Sequence, residues 1–251
     1  MPMRGILPFS VLAPLLCGPL VMTLQADGKN LIANPTFEDR NHPLAGYRID
    51  FPHEEWYRKN KGYVRVVNNP KGSGKCVQID LPPGVAGNEG GKIETEFLPV
   101  VPGATYRVEV DCLTWDFTAK LHAEAWVKDP RPHPKPDKFC VPAEGSRPAL
   151  VQCYRAQIPD PGGRLKEWKT VSREFTVPMA AVVAGKKCAP AWLSVKAYTY
   201  AATMDAGKCY FRNFRLFLIK TPEGNSGGTV EKNGLNRQPE MPAPGRTPPG
   251  K

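Results

Sequence analysis

Alternation of apolar and polar residues, with a period of two, runs through most of the chain after residue 30. This period places successive side chains on opposite faces of a β-strand. No stretch there repeats its apolar residues at intervals of about 3.6 residues, the period that indicates an amphipathic helix. The pattern therefore predicts an all-β protein. Its strands are expected at residues 63–67, 76–81, 92–100, 106–115, 121–128, 168–178, 192–200 and 208–219.

The strand predicted at residues 121–128 shows what the alternation implies. Leu121 and Ala123 lie on an apolar face that we expect to turn inward, whereas Glu124 and Trp126 lie on an outward face. Two sheets that bury such apolar faces against each other make a β-sandwich. The strand pattern supports a sandwich without selecting its topology.

The composition agrees with this architecture. The chain has 251 residues, a length at which all-β sandwiches are commonly a single domain. Hydrophobic residues make up 41% of the chain, enough for a sizeable core. The 28 prolines and 23 glycines disfavour long helices and favour many turns.

Three segments depart from the strand pattern. Residues 1–26 are typical of a secretory signal, with Arg4 before an apolar run, and prolines in that run disfavour a membrane anchor. Residues 129–166 are rich in proline and are predicted to be a loop inserted in a β-sandwich that spans residues 27–219. Residues 220–251 are expected to form a disordered, basic tail. The mature protein is therefore expected to be secreted or periplasmic, with no transmembrane anchor.

The formal net charge of +10 suits an acidic polysaccharide, an anionic cell surface or nucleic acid. Nucleic acid is the poorest of these partners, because the chain is expected to be exported and has no nucleic-acid motif. A generic basic surface is the alternative.

Cysteine usage predicts disulfides. Without Cys17 of the signal segment, the remaining even number of cysteines would allow three disulfides in an exported protein. Only the pairing of Cys140 with Cys153 can be guessed, because both lie in the proline-rich insertion. Closing that short loop would stabilise the fold by roughly 3 kcal/mol.

Three stretches of the chain resemble a known family. Residues 30–39 are Asn-Leu-Ile-Ala-Asn-Pro-Thr-Phe-Glu-Asp, residues 102–106 are Pro-Gly-Ala-Thr-Tyr, and residues 168–178 begin with Trp and end with Phe-Thr-Val-Pro. In this order they resemble signature segments of the galactose-binding-like β-sandwiches, in particular the carbohydrate-binding modules of families four, nine and twenty-two. The resemblance covers residues 30–219. It implies a jelly-roll β-sandwich of two antiparallel sheets.

Aromatic and charged residues fall on the outward faces of the predicted strands. A merely solvated face has little reason to expose several Trp and Tyr side chains. Flat aromatic rings can cover the apolar C–H faces of sugars, and carboxylate and guanidinium groups can bind their hydroxyl groups. In the resembled modules, glycans often bind in a groove lined with aromatic residues. The predicted ligand-binding residues are Trp126 and Tyr198 for stacking, Arg107, Glu109, His122 and Glu124 for hydrogen bonding, and Trp115 and Tyr200 beside them.

Two alternatives for these aromatic residues stay open. The insertion at residues 129–166 either leaves the outer face free for a ligand or covers it, which would make the outer aromatics a second core layer. Trp56 and Tyr57, in a long loop predicted at residues 40–60, either form a wall of the site or pack against the sandwich.

The expected function is therefore that of a bacterial, secreted, non-catalytic protein that binds a poly- or oligosaccharide. One alternative is a structural or adhesion domain that binds a protein or the cell envelope. Another is a polysaccharide-active enzyme, for which Glu109, Asp111 and Glu124 offer carboxylates. No Gly-x-Ser-x-Gly or His-Glu-x-x-His motif occurs, and the four histidines lack metal-ligand spacing. No catalytic residue and no cofactor are therefore predicted.

Calcium is doubted for a specific reason. The resembled modules often carry a structural calcium where the first and last strands meet, and Glu38 matches their first carboxylate. Arg212 stands where the family usually has Asp. Because an Arg repels a dication that needs six to eight oxygen ligands, we expect Arg212 to pair with Glu38 in place of the ion.

Overall fold

The computed structural model describes residues 28–85, 90–115, 119–200 and 207–222. The predicted signal segment lies outside these ranges, as does the predicted tail beyond residue 222. Within them, no helix is long and apolar enough to cross a membrane.

The described residues form mainly strands, as the alternation predicts. The strands are β1 (Tyr47–Arg48), β2 (Val64–Asn68), β3 (Lys75–Leu81), β4 (Gly90–Thr95), β5 (Leu98–Pro99), β6 (Thr105–Thr114), β7 (Lys120–Lys128), β8 (Cys140–Val141), β9 (Leu150–Ile158), β10 (Lys169–Thr176), β11 (Ala181–Val183), β12 (Lys186–Cys188), β13 (Trp192–Tyr200) and β14 (Gly207–Lys220), with one short helix, α1 (Glu55–Asn60), and a 3-10 turn at Lys61–Tyr63.

The strands assemble into two antiparallel sheets that pack face to face. One is seven-stranded, in the order β1-β4-β13-β7-β9-β8 with β5 also paired to β13. The other is five-stranded, in the order β10-β6-β14-β3-β2, and β11 pairs with β12 in a separate hairpin. The predicted β-sandwich of two antiparallel sheets is confirmed.

The core lies between the two sheets and follows the predicted alternation. Val108 and Val110 of β6 meet Leu121 and Ala123 of β7 in one buried cluster. Gly91 of β4 lies tight against the opposite sheet, where an added Cβ would be 2.5 Å from a side-chain carbon of Ile79. Only glycine fits there.

The chain changes sheet repeatedly, as a jelly roll requires. It leaves the five-stranded sheet after β6, enters the seven-stranded sheet at β7, and crosses again between β9 and β10 and between β13 and β14. Since β6 and β7 belong to different sheets, their outer faces point in opposite directions.

Residues 30–39, which resemble the opening strand of the carbohydrate-binding modules, do not form a strand here. Asn34 and Phe37 adopt positive φ angles of 48° and 59°, which interrupt an extended strand. The stretch nevertheless runs along β14, where the Leu31 amide donates to the Leu216 carbonyl at 2.9 Å. The ring of Phe37 is buried 4.7 Å from that of Tyr47. The stretch closes the core without pairing as a strand.

The insertion and the loop predicted at residues 40–60 contain more structure than expected. Within residues 129–166, β9 pairs with β7 along its whole length and β8 pairs with β9. β9 itself contains no proline. The sequence did not predict it, because the many prolines on both sides of the strand make the whole segment look like a loop. The loop at residues 40–60 includes β1 and α1.

Candidate functional site

The outer face of the seven-stranded sheet brings several predicted site residues together. The register places Lys196 of β13 beside His122 of β7, and Ser194 beside Glu124. From β9, Arg155 lies opposite Glu124. His122 and Glu124 therefore share one face, with cations on both neighbouring strands.

Two segments cover this face. We call residues 48–57, which include the start of α1, the helical cover, and residues 137–147 the insertion cover. In the helical cover, Glu54 forms an ion pair with Lys92 of β4. The Lys92 ammonium also lies 3.6 Å from the ring centroid of Phe51. The helical cover is thus held to the sheet by charge and by an aromatic contact.

The insertion cover packs on a neighbouring part of the same outer face. Its Val141 belongs to a small apolar cluster with Trp126 and Leu150, and the ring of Phe139 lies 5.8 Å from the guanidinium of Arg155. The insertion therefore covers part of the outer face, which was one of the two alternatives left open by the sequence.

The prediction that Trp126 stacks on a ligand does not fit this arrangement. Trp126 is only 2% exposed. Its indole nitrogen donates to Ser194 Oγ at 2.9 Å, and its ring meets Phe97 edge-on at 5.4 Å. It belongs to a second core layer, because the insertion cover lies over it.

Tyr198 and Tyr200 complete the predicted aromatic residues of β13. Tyr198 is half-buried beneath the helical cover, with its ring 6.3 Å from Tyr57 and 5.5 Å from His122. Tyr57 therefore packs on the sheet. The side chain of Tyr200 lies outside the described part of the structure.

Glu124 lies at the centre of the covered face. Its side chain is 0% exposed, and one carboxylate oxygen accepts from both Lys196 Nζ and Arg155 Nε at 2.7 Å. Burial raises the pKa of Glu124, and Lys196 opposes that rise. Removing either cation would leave a buried carboxylate with less compensation.

Glu94 of β4 is shifted in the opposite direction. Burial alone would raise the pKa of Glu94, but Lys92, Arg48 and Lys196 outweigh it and lower the pKa to about 2. The Arg48 guanidinium approaches Glu94 to 3.3 Å. Glu94 is therefore an anion at neutral pH and ties β1 to β4.

Two histidines at this face, the buried His122 and the half-buried His53 of the helical cover, have lowered pKa values. Burial, reinforced by Arg155, Lys196 and Lys120, lowers the pKa of His122 to about 4. Burial also lowers the pKa of His53 in the helical cover. The 3.8 Å approach of His122 to Glu124 is therefore not an ion pair at neutral pH.

Several buried polar atoms between sheet and covers have no hydrogen-bond partner among the described residues. They are Glu94 Oε1, Glu124 Oε2, His122 Nδ1 and both ring nitrogens of His53. Buried polar atoms in folded proteins are nearly always satisfied by protein, water or ligand. This layer can therefore accept further polar groups.

A cleft of about 380 Å³ opens between the two covers. Its walls carry two large exposed aromatic side chains, Trp56 at 56% and Phe139 at 43% exposure. The polar groups at its rim are His53, Glu54, Glu55, Asp137 and Lys138. We call it the aromatic cleft.

A second cavity, of about 540 Å³, lies between the same two covers and shares His53 with the aromatic cleft. Arg48, Arg147, Asp50 and Glu144 are among the residues that line it. We call it the arginine cavity. The two cavities therefore adjoin each other at His53.

Arg107, Glu109 and Trp115 do not join the other predicted residues, and their assignment to one common face is wrong. All three lie on or beside β6, in the five-stranded sheet. Glu109 there pairs with Arg107 and with Arg215, each at 3.1 Å. Trp115 packs on Tyr210 at 5.1 Å. The polar alternation of β6 resembles that of β7, but the two faces look away from each other.

The predicted disulfides are absent from the described part of the chain, where none of the six cysteines is disulfide-bonded. The Cys140 thiol donates to Asp129 at 3.2 Å, whereas Cys153 donates to the Ala125 carbonyl at 3.3 Å. A bulge between Ala125 and Trp126 turns Cys153 toward β7. The guessed Cys140–Cys153 pairing is therefore wrong.

Arg212 has different partners from the predicted one. Its guanidinium lies 3.6 Å from Asp111 and 4.3 Å from the ring centroid of Trp168, rather than against Glu38. Among the described residues no three His, Cys, Asp or Glu side chains come together as a metal site. That the chain needs no calcium stays a prediction, which calorimetric titration with calcium tests.

The sequence interpretation named Trp56 but missed Phe139, Arg48 and Arg147. Phe139 stands alone among prolines and charges, where no strand pattern marks a face. An aromatic residue directly after a run of prolines and charged residues was the one signal available for it. Arg48 and Arg147 lie 99 positions apart, so only folding brings them together.

No protein-family model matches this chain, and no curated protein matches it either. Solved structures similar to it include an arabinose-bound GH51 α-L-arabinofuranosidase, 15% identical with a TM-score of 0.45, over 75% of this chain and 26% of that chain.

Carbohydrate-binding modules are also among the similar solved structures, as the sequence resemblance predicts. A family 4 module is 12% identical with a TM-score of 0.38, over 74% of this chain and 99% of that chain. The C-terminal family 22 module of Clostridium thermocellum Xyn10B is 13% identical with a TM-score of 0.36, over 75% of this chain and 94% of that chain. These TM-scores are low, so the function has to be inferred from the site itself.

Proposed function

We propose that this protein is a secreted or periplasmic, bacterial, non-catalytic carbohydrate-binding module, and that its poly- or oligosaccharide ligand lies in the aromatic cleft. The observation that carries the proposal is the pair of exposed rings, Trp56 and Phe139, on the two walls of a cleft rimmed by charged side chains. The proposed site thus lies on the segments that cover the sheet, and not on the strand faces that the sequence predicted.

The cleft offers both kinds of contact that a sugar needs. An aromatic ring covering a sugar face removes roughly 150–250 Å² from water, which is worth a few kcal/mol at about 25 cal/mol per Å². Glu54 and Asp137 can accept hydrogen bonds from hydroxyl groups, and Lys138 can donate them. Rings and charges alternate around one opening, as an amphipathic ligand requires.

Binding without hydrolysis accounts best for the carboxylates. Glu94 and Glu124 have opposite pKa shifts, the pattern that distinguishes a catalytic acid from its partner. Both, however, lie beneath the covers and are engaged by cations. We assign them to holding the covers on the sheet.

A protein partner fits the surface less well. A stable protein interface buries about 800 Å² on each partner, whereas a cleft of about 380 Å³ admits a narrow ligand. The remaining large exposed apolar residues that the structure describes, such as Met179 and Val182, lie outside the cleft.

The proposal is tested by a glycan array followed by calorimetry with the best ligand. Trp56→Ala and Phe139→Ala should each weaken binding by roughly tenfold or more, because each removes one stacking surface. Val182→Ala removes an exposed apolar side chain elsewhere and should bind normally. The proposal would be overturned if the protein bound no glycan on the array, or if the Trp56→Ala/Phe139→Ala double variant kept full affinity.

A further inference from the structure

The arginine cavity holds two guanidinium groups against one ring. The guanidinium carbon of Arg48 lies 4.4 Å and that of Arg147 4.9 Å from the ring centroid of Phe97. Stacking on a shared ring fixes both groups in place. Both cations line the same cavity of about 540 Å³.

Each of these guanidinium groups has hydrogen-bonding capacity left over. Arg48 Nε and Arg147 Nη1 are buried and have no hydrogen-bond partner among the described residues. Arginine carries five N–H donors in a planar fork that matches a carboxylate or a sulfate. The Arg48 and Arg147 side chains as a whole are still 20% and 17% exposed, so part of each guanidinium group is open to an anionic group in the cavity.

The acidic residues near the cavity do not use up this capacity. Glu94 is shared between Arg48 and Lys92. Glu144 accepts from Arg147 Nη2 at 2.8 Å, but its side chain is 77% exposed. Exposed ion pairs of this kind are weak, so a ligand anion can displace Glu144 from Arg147.

We propose that the arginine cavity is an anion subsite, which binds the carboxylate or sulfate group of an acidic polysaccharide whose chain continues into the aromatic cleft. The inference rests on the proposed function and adds the ligand class. His53 lines both cavities, so a single extended chain can pass from one to the other. Specificity for charge comes from Arg48 and Arg147, and stacking comes from the aromatic cleft.

The test compares matched ligands that differ only in charge. Calorimetry is run with an oligogalacturonate and its methyl ester, and with dextran sulfate and dextran. The wild-type protein should bind the charged member of at least one pair roughly tenfold more tightly, because a charge-assisted bidentate contact is lost in the neutral one. The pair that shows the preference identifies carboxylate or sulfate as the group bound.

Three variants locate the effect. Arg147→Gln should abolish most of the preference, and Glu144→Gln, an exposed position whose change leaves the fold intact, should strengthen it. Arg65→Gln removes one equally positive but exposed charge outside both cavities and should keep the preference. If Arg147→Gln fails to fold, the preference for charged ligands can still be compared between Glu144→Gln and Arg65→Gln, and this comparison tests the anion subsite.

The outcomes separate the two proposals. No preference in either pair, no gain in Glu144→Gln, or an equal loss in Arg65→Gln and Arg147→Gln would overturn the anion subsite. Trp56-dependent binding of neutral glycans would in that case leave the proposed function standing. Failure of every glycan, charged or neutral, to bind would overturn both.

Discussion

Trp126 and Trp56 differ in what surrounds their rings. Trp126 donates a hydrogen bond to Ser194 and packs beneath the insertion cover, whereas Trp56 projects from the helical cover into solvent. The same side chain therefore serves the core in one place and is proposed to serve a ligand in the other. Exposure, not residue type, separates the two roles.

This difference predicts a large loss of stability on truncating Trp126 and almost none on truncating Trp56. Trp126→Ala should lower the free energy of unfolding by about 3–5 kcal/mol, because it leaves a cavity in a packed layer. Trp56→Ala should change it by less than about 0.5 kcal/mol. Urea denaturation at pH 7 measures both. A similar loss in the two variants would contradict the burial assigned to Trp126.

Part of this residue-scale result was available from the sequence. The alternation of β7 correctly placed Trp126 on the outer face of its strand, because strand geometry is local. Its burial was not predictable in the same way. The side chains that cover it come from a proline-rich insertion whose path depends on non-local contacts.

At the scale of elements, Asp129 anchors the start of the insertion. Its buried carboxylate accepts hydrogen bonds from the guanidinium group of Arg131, the shortest at 2.6 Å, from the Arg131 backbone amide at 2.9 Å and from the Cys140 thiol at 3.2 Å. The hydrogen bonds from Arg131 lower the pKa of Asp129 to about 2. One side chain thus ties the end of β7 to β8, and so positions the insertion cover.

Asp129→Ala should therefore loosen the insertion cover before it unfolds the sandwich. We expect a loss of about 1–3 kcal/mol from the unpaired hydrogen-bond donors, and faster amide exchange in residues 137–147 with little change in β6. Hydrogen exchange read by mass spectrometry measures this. Asp160→Ala is the matched control, because its pair with Lys120 is exposed. Unchanged exchange in residues 137–147 would show that Asp129 does not hold the cover.

At the scale of the whole molecule, a buried layer of charge joins the covers to the seven-stranded sheet, and it should make stability depend on pH. The pKa of His122 falls from its ordinary value of 6.5 to about 4 on folding. Between these values the unfolded chain binds more protons than the folded one, so the free energy of unfolding decreases as pH falls. The loss should reach roughly 2–3 kcal/mol.

Protonation of Glu94 should lower the free energy of unfolding further at lower pH. Its pKa falls from 4.5 to about 2 on folding, so its stabilisation is complete above pH 4.5 and disappears as pH falls toward 2. Urea denaturation between pH 7.5 and about pH 3 measures both parts. His122→Gln should flatten the curve between pH 6.5 and 4 and leave the lower part. A flat wild-type curve from pH 7 to pH 4 would contradict the assignment.

The sequence by itself determined most of the long strands and their inward faces, with β9 of the insertion as the exception. A period of two is a local property, and burying the apolar residues of β6, β7 and β13 leaves two antiparallel sheets as the simplest solution. The signature stretches pointed to the same sandwich. Even residues 30–39, which are not a strand, lie along β14 and close the core.

Only the tertiary structure decided where the candidate site lies. Outward polar faces look alike in sequence, so the allocation of β6 and β7 to different sheets, which separates Glu109 from Glu124, could not be inferred from alternation. The pairing of Trp56 with Phe139 across a cleft is equally non-local. Such contacts are set by chain crossings and by the path of the insertion, because long-range contacts form only when distant segments are brought together by the packed core.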